Sequence, residues 1–214
     1  MGSDFTPTDE CGPYDHGISF VVRGPSSYVV PQAGVVTGWT FTAGPDDVSV
    51  KLKLSTQSAQ GQNFFTTVTS SDLLQVPANS SATQSVRIPV AGGEYLGFFL
   101  APGPKQEPVC GTEDYNDPDL ANGFINLDPA VGSTYDYSLY HYSRFPVSAR
   151  VEPDADGDGY GDETQDSCPS DPAVHDGSCS SSSSSCRGAA GTSDRTGWCA
   201  CSRASAIGGW SPAS

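Results

Sequence analysis

Positive charge is the scarcest feature of this sequence. Its 214 residues include 10 Lys and Arg against 25 Asp and Glu, which gives a formal net charge of −15. Nucleic acids and anionic membrane surfaces are bound through clustered Lys and Arg, so the composition argues against both as partners. An acidic chain of this kind is better suited to divalent cations.

Long apolar runs and catalytic motifs are missing as well. The longest apolar run covers residues 96–101, whereas a membrane-spanning helix needs about 20 residues. We therefore expect no membrane insertion. The sequence contains no nucleophile elbow, phosphate-binding loop or zincin motif, and we expect a protein without enzymatic activity.

Short alternating segments fill residues 18–151, and no stretch of ten residues has the 3.6-residue period of an amphipathic helix. In the clearest segment, 48–54, apolar residues alternate with polar ones: Val48, Val50, Leu52 and Leu54 with Ser49, Lys51 and Lys53. We predict an all-β fold, an antiparallel β-sandwich or jelly-roll-like domain over residues 1–151. Further strands are predicted at 18–22, 27–31, 35–41, 63–69, 84–90, 94–101, 123–128, 135–140 and 145–151.

Residues 152–179 break this pattern. They contain nine acidic residues and no Lys or Arg, and Tyr160 and Val174 are their only large apolar side chains. Hydrophobic burial cannot order such a segment, so order requires another source, such as a metal ion. A run of serines at 180–185 then predicts a flexible linker. The rest, 186–214, is predicted to be a disordered tail or a frame-shifted end.

The strongest motif lies inside the acidic segment and begins at Asp154. Asp154, Asp156 and Asp158 occupy loop positions 1, 3 and 5, Gly159 is at position 6, and Asp162 is at position 9. This spacing is typical of a loop that surrounds Ca²⁺ with oxygen atoms, in which the residue at position 7, here Tyr160, contributes its backbone carbonyl. Without a cation the three closely spaced carboxylates would repel one another.

The motif and the Cys168-Pro169 that follows it resemble the thrombospondin type 3 repeat. Over residues 152–179 the resemblance implies a calcium-binding repeat with almost no apolar core. It implies Asp154, Asp156, Asp158, the Tyr160 carbonyl and Asp162 as ligands. The family's last acid corresponds to Gln165 here, which leaves Asp166 and Glu163 as candidates for that role. Residues 1–151 resemble, more loosely, β-sandwich domains of uncharacterised bacterial exported proteins.

Weaker readings of the acidic residues remain open. The Asp- and Gly-rich segment has the composition of a solvated linker with no site, although random acidity rarely reproduces the motif's spacing. A second acidic cluster at 113–119 is a candidate cation site, but such clusters are more often solvated loops.

The seven cysteines indicate an oxidising compartment. The spacing of Cys168 and Cys179 is typical of a small disulfide-closed loop, while Cys11 and Cys110 are candidate partners whose pairing the sequence leaves open. No signal peptide precedes Phe5, so export requires a natural start upstream or a trimmed chain. We nevertheless expect a secreted or cell-surface protein.

Two functions are consistent with these features. The first is an adhesion or structural module with a structural calcium-binding repeat, whose partner is a cell-wall or matrix protein. The alternative is a carbohydrate-binding module, in which Trp39, Tyr28 and Phe41 form an exposed platform for a glycan. Because Trp39 lies on the apolar face of its predicted strand, a role in the core is favoured for it.

Overall fold

Antiparallel β-strands account for the regular structure of this protein. The computed structural model describes residues 1–11, 16–24, 26–103, 108–114, 121–177 and 179, and the predicted linker and tail, 180–214, lie outside these residues. The described residues contain no α-helix. The strands are β1 (Asp9–Glu10), β2 (Ile18–Val22), β3 (Gly34–Thr42), β4 (Val48–Gln57), β5 (Phe64–Ser70), β6 (Leu74–Val76), β7 (Ser81–Val90), β8 (Tyr95–Leu100), β9 (Val109–Glu113), β10 (Ala121–Ile125), β11 (Thr134–Asp136), β12 (Ser138–His141), β13 (Ser143–Arg144) and β14 (Val147–Glu152).

The predicted strand at 27–31 is wrong. Residues Ser26–Tyr28 form a 3-10 helix, and Val29 makes only an isolated bridge to Tyr95. The Tyr28 ring is buried, and its hydroxyl donates a hydrogen bond to the Phe145 carbonyl at 2.7 Å. The apolar side chains of this segment therefore pack in the core, although its backbone does not form a regular strand.

The largest sheet has eight strands and curves back on itself. Its order is β11-β5-β4-β8-β2-β10-β12, with β6 also paired to β4. Only Tyr137 separates β11 from β12, so residues 134–141 pair with β5 at one end of the sheet and with β10 at the other. The sheet is therefore almost closed, and this arrangement removes free edges that could pair with other chains.

A three-stranded sheet, β14-β3-β7, packs against one face of the large sheet. The core between them contains Phe41 of β3 and Phe98 of β8, whose ring centroids lie 5.3 Å apart. Phe145, just before β14, contacts Phe20 of β2 with a centroid distance of 4.6 Å. The alternation predicted for 48–54 is confirmed, since its four apolar side chains are buried in this core. Burial of these side chains supplies the main driving force for folding.

The polar face of β4 is covered as well. The side chain of Lys53 is only 4% exposed, forms an ion pair with Asp128 and donates a hydrogen bond to the Pro129 carbonyl at 3.0 Å. Burial lowers the pKa of Lys53, and the hydrogen bond and charge of Asp128 oppose that shift. Asp128 and Pro129 thus cover Lys53 on the face of β4 that the sequence pattern predicts to be polar.

One compact unit extends over Met1–Cys179. It includes both the predicted β-domain, 1–151, and the acidic segment, 152–179. Within it the disulfide between Cys11, which follows β1, and Cys110 of β9 links two paired strands of the third sheet, β1-β9-β13, and both cysteines are buried. The pairing that the sequence left open is therefore present.

Replacing Cys11 and Cys110 by alanine should lower the free energy of unfolding by about 2–4 kcal/mol, because the bond closes a loop with a sequence separation of 99. The matched control replaces Cys168 and Cys179, whose separation is 11, and should cost about 2 kcal/mol less on chain-entropy grounds. Urea denaturation under oxidising conditions measures both variants. A larger loss in the free energy of unfolding for the Cys168 and Cys179 variant would contradict the greater contribution predicted for the Cys11–Cys110 bond.

Candidate metal centre

Three aspartates converge in the segment that follows β14. One carboxylate oxygen from each of Asp154, Asp156 and Asp158 lies within 4.8 Å of the other two. The chain achieves this by turning tightly at Gly157 and Gly159, whose φ angles are 78° and 85°. This left-handed conformation favours glycine. The predicted grouping of these carboxylates is therefore present, and we call residues 154–166 the Asp loop.

The side chain of Asp154 organises the start of the Asp loop. Its Oδ1 accepts hydrogen bonds from the amides of Gly157 at 2.9 Å and Asp158 at 3.1 Å, and its Oδ2 accepts one from the Gly159 amide at 3.1 Å. These short-range bonds replace a regular backbone ladder, as Asp side chains commonly do in turns. The geometry of the loop is therefore set by the residues of the motif.

Several carboxylate oxygens of the Asp loop are buried without a hydrogen-bond partner among the described residues. They are Oδ2 of Asp156, Oδ2 of Asp158 and Oδ2 of Asp166. The Asp158 side chain is only 5% exposed, and Asp166 is 7% exposed. Nδ1 of His175 lies 4.0 Å from Oδ2 of Asp158. Buried anionic oxygens are costly unless a cation or hydrogen-bond donors satisfy them, so this group of carboxylates could hold a metal ion.

The pKa of Asp156 shows the same electrostatic conflict. Burial raises this pKa above its usual value, and repulsion from Asp158, Asp166 and Asp154 raises it further, against one backbone hydrogen bond that lowers it. Asp166 therefore adds to the negative charge that acts on Asp156, beside the three aspartates that the structure groups.

The other predicted ligands take different positions. Oδ1 of Asp162 accepts a hydrogen bond from the Ala155 amide at 3.1 Å, which connects the two ends of the motif. Glu163 is largely exposed and pairs with Arg150 at 3.0 Å. It is not among the three residues that the structure groups. The ring of Tyr160 stacks on the His175 ring with a centroid distance of 4.0 Å, and Cζ of Arg87 lies 4.0 Å from the centroid of the Tyr160 ring.

Glu152 is the residue that sequence reasoning missed. It is fully buried, and its carboxylate accepts hydrogen bonds from Thr37 Oγ1 (2.8 Å), Thr164 Oγ1 (2.6 Å), and the amides of Thr164 (2.8 Å) and Glu163 (3.0 Å). Nε of Arg150 lies 3.0 Å from Oε1. Burial alone would raise its pKa, but the bonds from Thr164, Thr37 and the two amides lower it overall. Glu152 thus joins the Asp loop to the sheet.

Irregularities in two strands create the surface that the Asp loop contacts. The β3–β7 register shifts between Val36 and Gly38, and the β14–β3 register shifts between Arg150 and Val151, so Thr37 lies at a bulge. Opposite it, the Val86 carbonyl of β7 accepts a hydrogen bond from Nε2 of Gln165 at 2.7 Å. Bulges commonly redirect groups in this way. Gln165, where the family pattern has an acid, is therefore a contact to the sheet.

The disulfide between Cys168 and Cys179 is present, as predicted. It closes a short segment that returns toward the Asp loop, and the Ser167 amide donates to the His175 carbonyl at 3.0 Å. This return places the His175 ring against Tyr160. The segment is thus ordered by covalent and polar contacts in place of an apolar core.

The described residues give no support to the second acidic cluster as a cation site or to the predicted aromatic glycan platform. In the second acidic cluster, residues 115–119 lie outside the described residues, and Asp114 pairs with Arg144 at 3.1 Å. Trp39, Tyr28 and Phe41 are each at most 1% exposed. These three rings therefore form part of the core and cannot provide an exposed glycan platform.

Comparison of the chain with protein-family models, curated proteins and solved structures gives no match. The chemistry of the site therefore rests on its own residues.

Substitution of Gly161 by alanine should loosen the contact between the Asp loop and the sheet. A Cβ at this position would lie 2.5 Å from Cγ2 of Thr37 and 2.7 Å from Oε2 of Glu152. We expect a loss of about 1–3 kcal/mol in the free energy of unfolding, measured by urea denaturation. Gly103→Ala is the control, because nothing lies within 4 Å of its Cβ position. Equal stability of the two variants would show that Gly161 is not tightly packed.

Proposed function

We propose that the Asp loop binds one structural Ca²⁺ ion. The observation that carries this proposal is the set of three buried carboxylate oxygens, on Asp156, Asp158 and Asp166, that lack a hydrogen-bond partner among the described residues. No Lys or Arg occurs between residues 151 and 186. Arg150 pairs with Glu152 and Glu163. Arg87 lies over the Tyr160 ring, and Nδ1 of His175 is 4.0 Å from Oδ2 of Asp158. A bound cation would therefore supply the opposite charge for the oxygens without a partner. Calcium takes six to eight oxygen ligands and tolerates irregular geometry, which suits this donor set.

The proposed ligands follow from these contacts. Asp154, Asp156 and Asp158 supply the clustered carboxylates, and Asp166 supplies the fourth. The Tyr160 carbonyl and Asp162 complete the set by analogy with the thrombospondin type 3 repeat. Glu163 is left out because its carboxylate pairs with Arg150.

We propose a secreted or cell-surface protein in which a β-sandwich domain carries this calcium-binding repeat. Two disulfides support an oxidising compartment. The described part of the chain contains no helix that is long and apolar enough to cross a membrane. Two antiparallel sheets that pack across a common core support the sandwich assignment.

An adhesion or structural role without catalysis fits this combination best. The calcium ion would order an acidic segment that cannot order itself by hydrophobic burial. A cell-wall or matrix protein remains the proposed partner of the β-sandwich.

Carbohydrate binding is the second candidate, and a groove on the three-stranded sheet favours it. The groove has a volume of about 680 Å³ and is lined by hydroxyl-bearing side chains, by Arg150 and by Met1, Gly38, Trp39 and Ala149. The hydroxyl-bearing side chains are Thr37, Thr40, Thr83, Ser85, Ser148 and Thr164. Screening of the full chain on a glycan array separates this function from protein adhesion.

Calcium should protect residues 152–179 from proteolysis. Because trypsin has no cleavage site in this segment, proteinase K is applied to the full chain in millimolar Ca²⁺ or in EDTA, and fragments are identified by mass spectrometry. We expect slower cleavage in Ca²⁺. Asp156→Ala should remove most of the difference, because it deletes a charged ligand from the cluster.

Asp176→Ala is the matched control, since Asp176 is an exposed acid of the same segment outside the cluster. This variant should behave like the unmodified chain. Identical cleavage patterns in Ca²⁺ and EDTA would contradict the proposed function.

A further inference from the structure

We infer that Ca²⁺ binding is coupled to the stability of the β14-β3-β7 sheet, with Glu152 as the positioning residue that transmits the coupling. This inference rests on the proposed function and assigns the ion a role outside its own loop. The ion would stabilise the β-domain as well as the acidic segment.

Proposed ligands and sheet contacts alternate along one short stretch of chain. Asp158, Asp162 and Asp166 belong to the ligand set. Between them, the Tyr160 ring contacts Arg87, Gly161 packs on Thr37, and Gln165 bonds to Val86. Glu163 and Thr164 donate their amides to Glu152. A change that spreads the ligands therefore also displaces the groups that contact the sheet.

Glu152 is suited to positioning and not to ligation. Both of its carboxylate oxygens accept hydrogen bonds from the protein, from Thr37 of β3 and from residues 163–164 of the Asp loop. The two loop residues lie between Asp162 and Asp166. Glu152 thus positions Asp162 and Asp166 relative to each other and holds both of them against the bulge at Thr37.

Thermodynamic linkage makes the effect reciprocal. Without a cation, the three clustered carboxylates repel one another, Asp166 adds to the repulsion on Asp156, and both effects oppose the conformation in which the loop contacts the sheet. An ion that binds only this conformation stabilises it by mass action. The sheet contacts in turn raise the affinity for the ion by the same factor.

Hydrogen exchange of the full chain tests the coupling. We compare peptides that cover β3 (Gly34–Thr42) and β7 (Ser81–Val90) in EDTA and in Ca²⁺ at 100 times its dissociation constant. Exchange that requires release of the Asp loop should slow by up to about 100-fold in these peptides. The internal control is β10 (Ala121–Ile125), which pairs only with strands of the large sheet and should change little.

Two glutamate variants of equal charge separate positioning from general electrostatics. Glu152→Gln should weaken Ca²⁺ binding about tenfold, as loss of an outer hydrogen-bond partner commonly does, and should remove the protection of β3 and β7. Glu163→Gln should change affinity less than about twofold, because its side chain is largely exposed. If Glu152→Gln does not fold, Thr37→Val replaces it, with the same direction expected.

Each outcome decides between distinct conclusions. Calcium binding without any protection of β3 and β7 would overturn the coupling and leave the calcium site intact. Equal losses in the two glutamate variants would overturn the positioning role of Glu152. Absence of calcium binding by the unmodified chain, measured by titration calorimetry, would overturn both the coupling and the proposed function.

Discussion

Close carboxylates in a segment with no Lys or Arg of its own are the physical constraint on which residues 152–179 depend. Asp154, Asp158 and Asp166 repel the carboxylate of Asp156, and one oxygen each of Asp156, Asp158 and Asp166 is buried without a hydrogen-bond partner in the described part of the chain. Hydrophobic burial cannot offset this repulsion, because the segment has few apolar side chains. The shared cation that we propose would offset the repulsion with the oxygens already in place.

The β-domain contributes more than a point of attachment. The Val86 carbonyl and the buried carboxylate of Glu152 accept hydrogen bonds from the Asp loop, and the hydroxyl of Thr37, at a bulge, donates to Glu152. These contacts place the loop within the same compact unit as the sheets. Under the coupling that we propose, calcium affinity and sheet stability would depend on the same contacts.

Local pattern was enough to predict much of this architecture. The alternation in 48–54 predicted a buried strand face, the Asp spacing predicted the carboxylate cluster, and the Cys168–Cys179 pair followed from spacing. Contacts between distant residues left no such signal. The burial of Glu152 depends on loop residues folding back over β14, and the role of Gln165 depends on a strand 79 residues away. The apolar residues of 27–31 resemble a strand because core burial and strand pairing select similar side chains.

Binding stoichiometry is the most direct test of the calcium site. Equilibrium dialysis of the full chain against radioactive calcium, in the presence of excess Mg²⁺, counts the bound ions. The account predicts one Ca²⁺ per chain, lost in the Asp158→Asn variant, because this change removes the charge of a clustered carboxylate whose side chain is only 5% exposed. No bound Ca²⁺, or undiminished binding by Asp158→Asn, would contradict it.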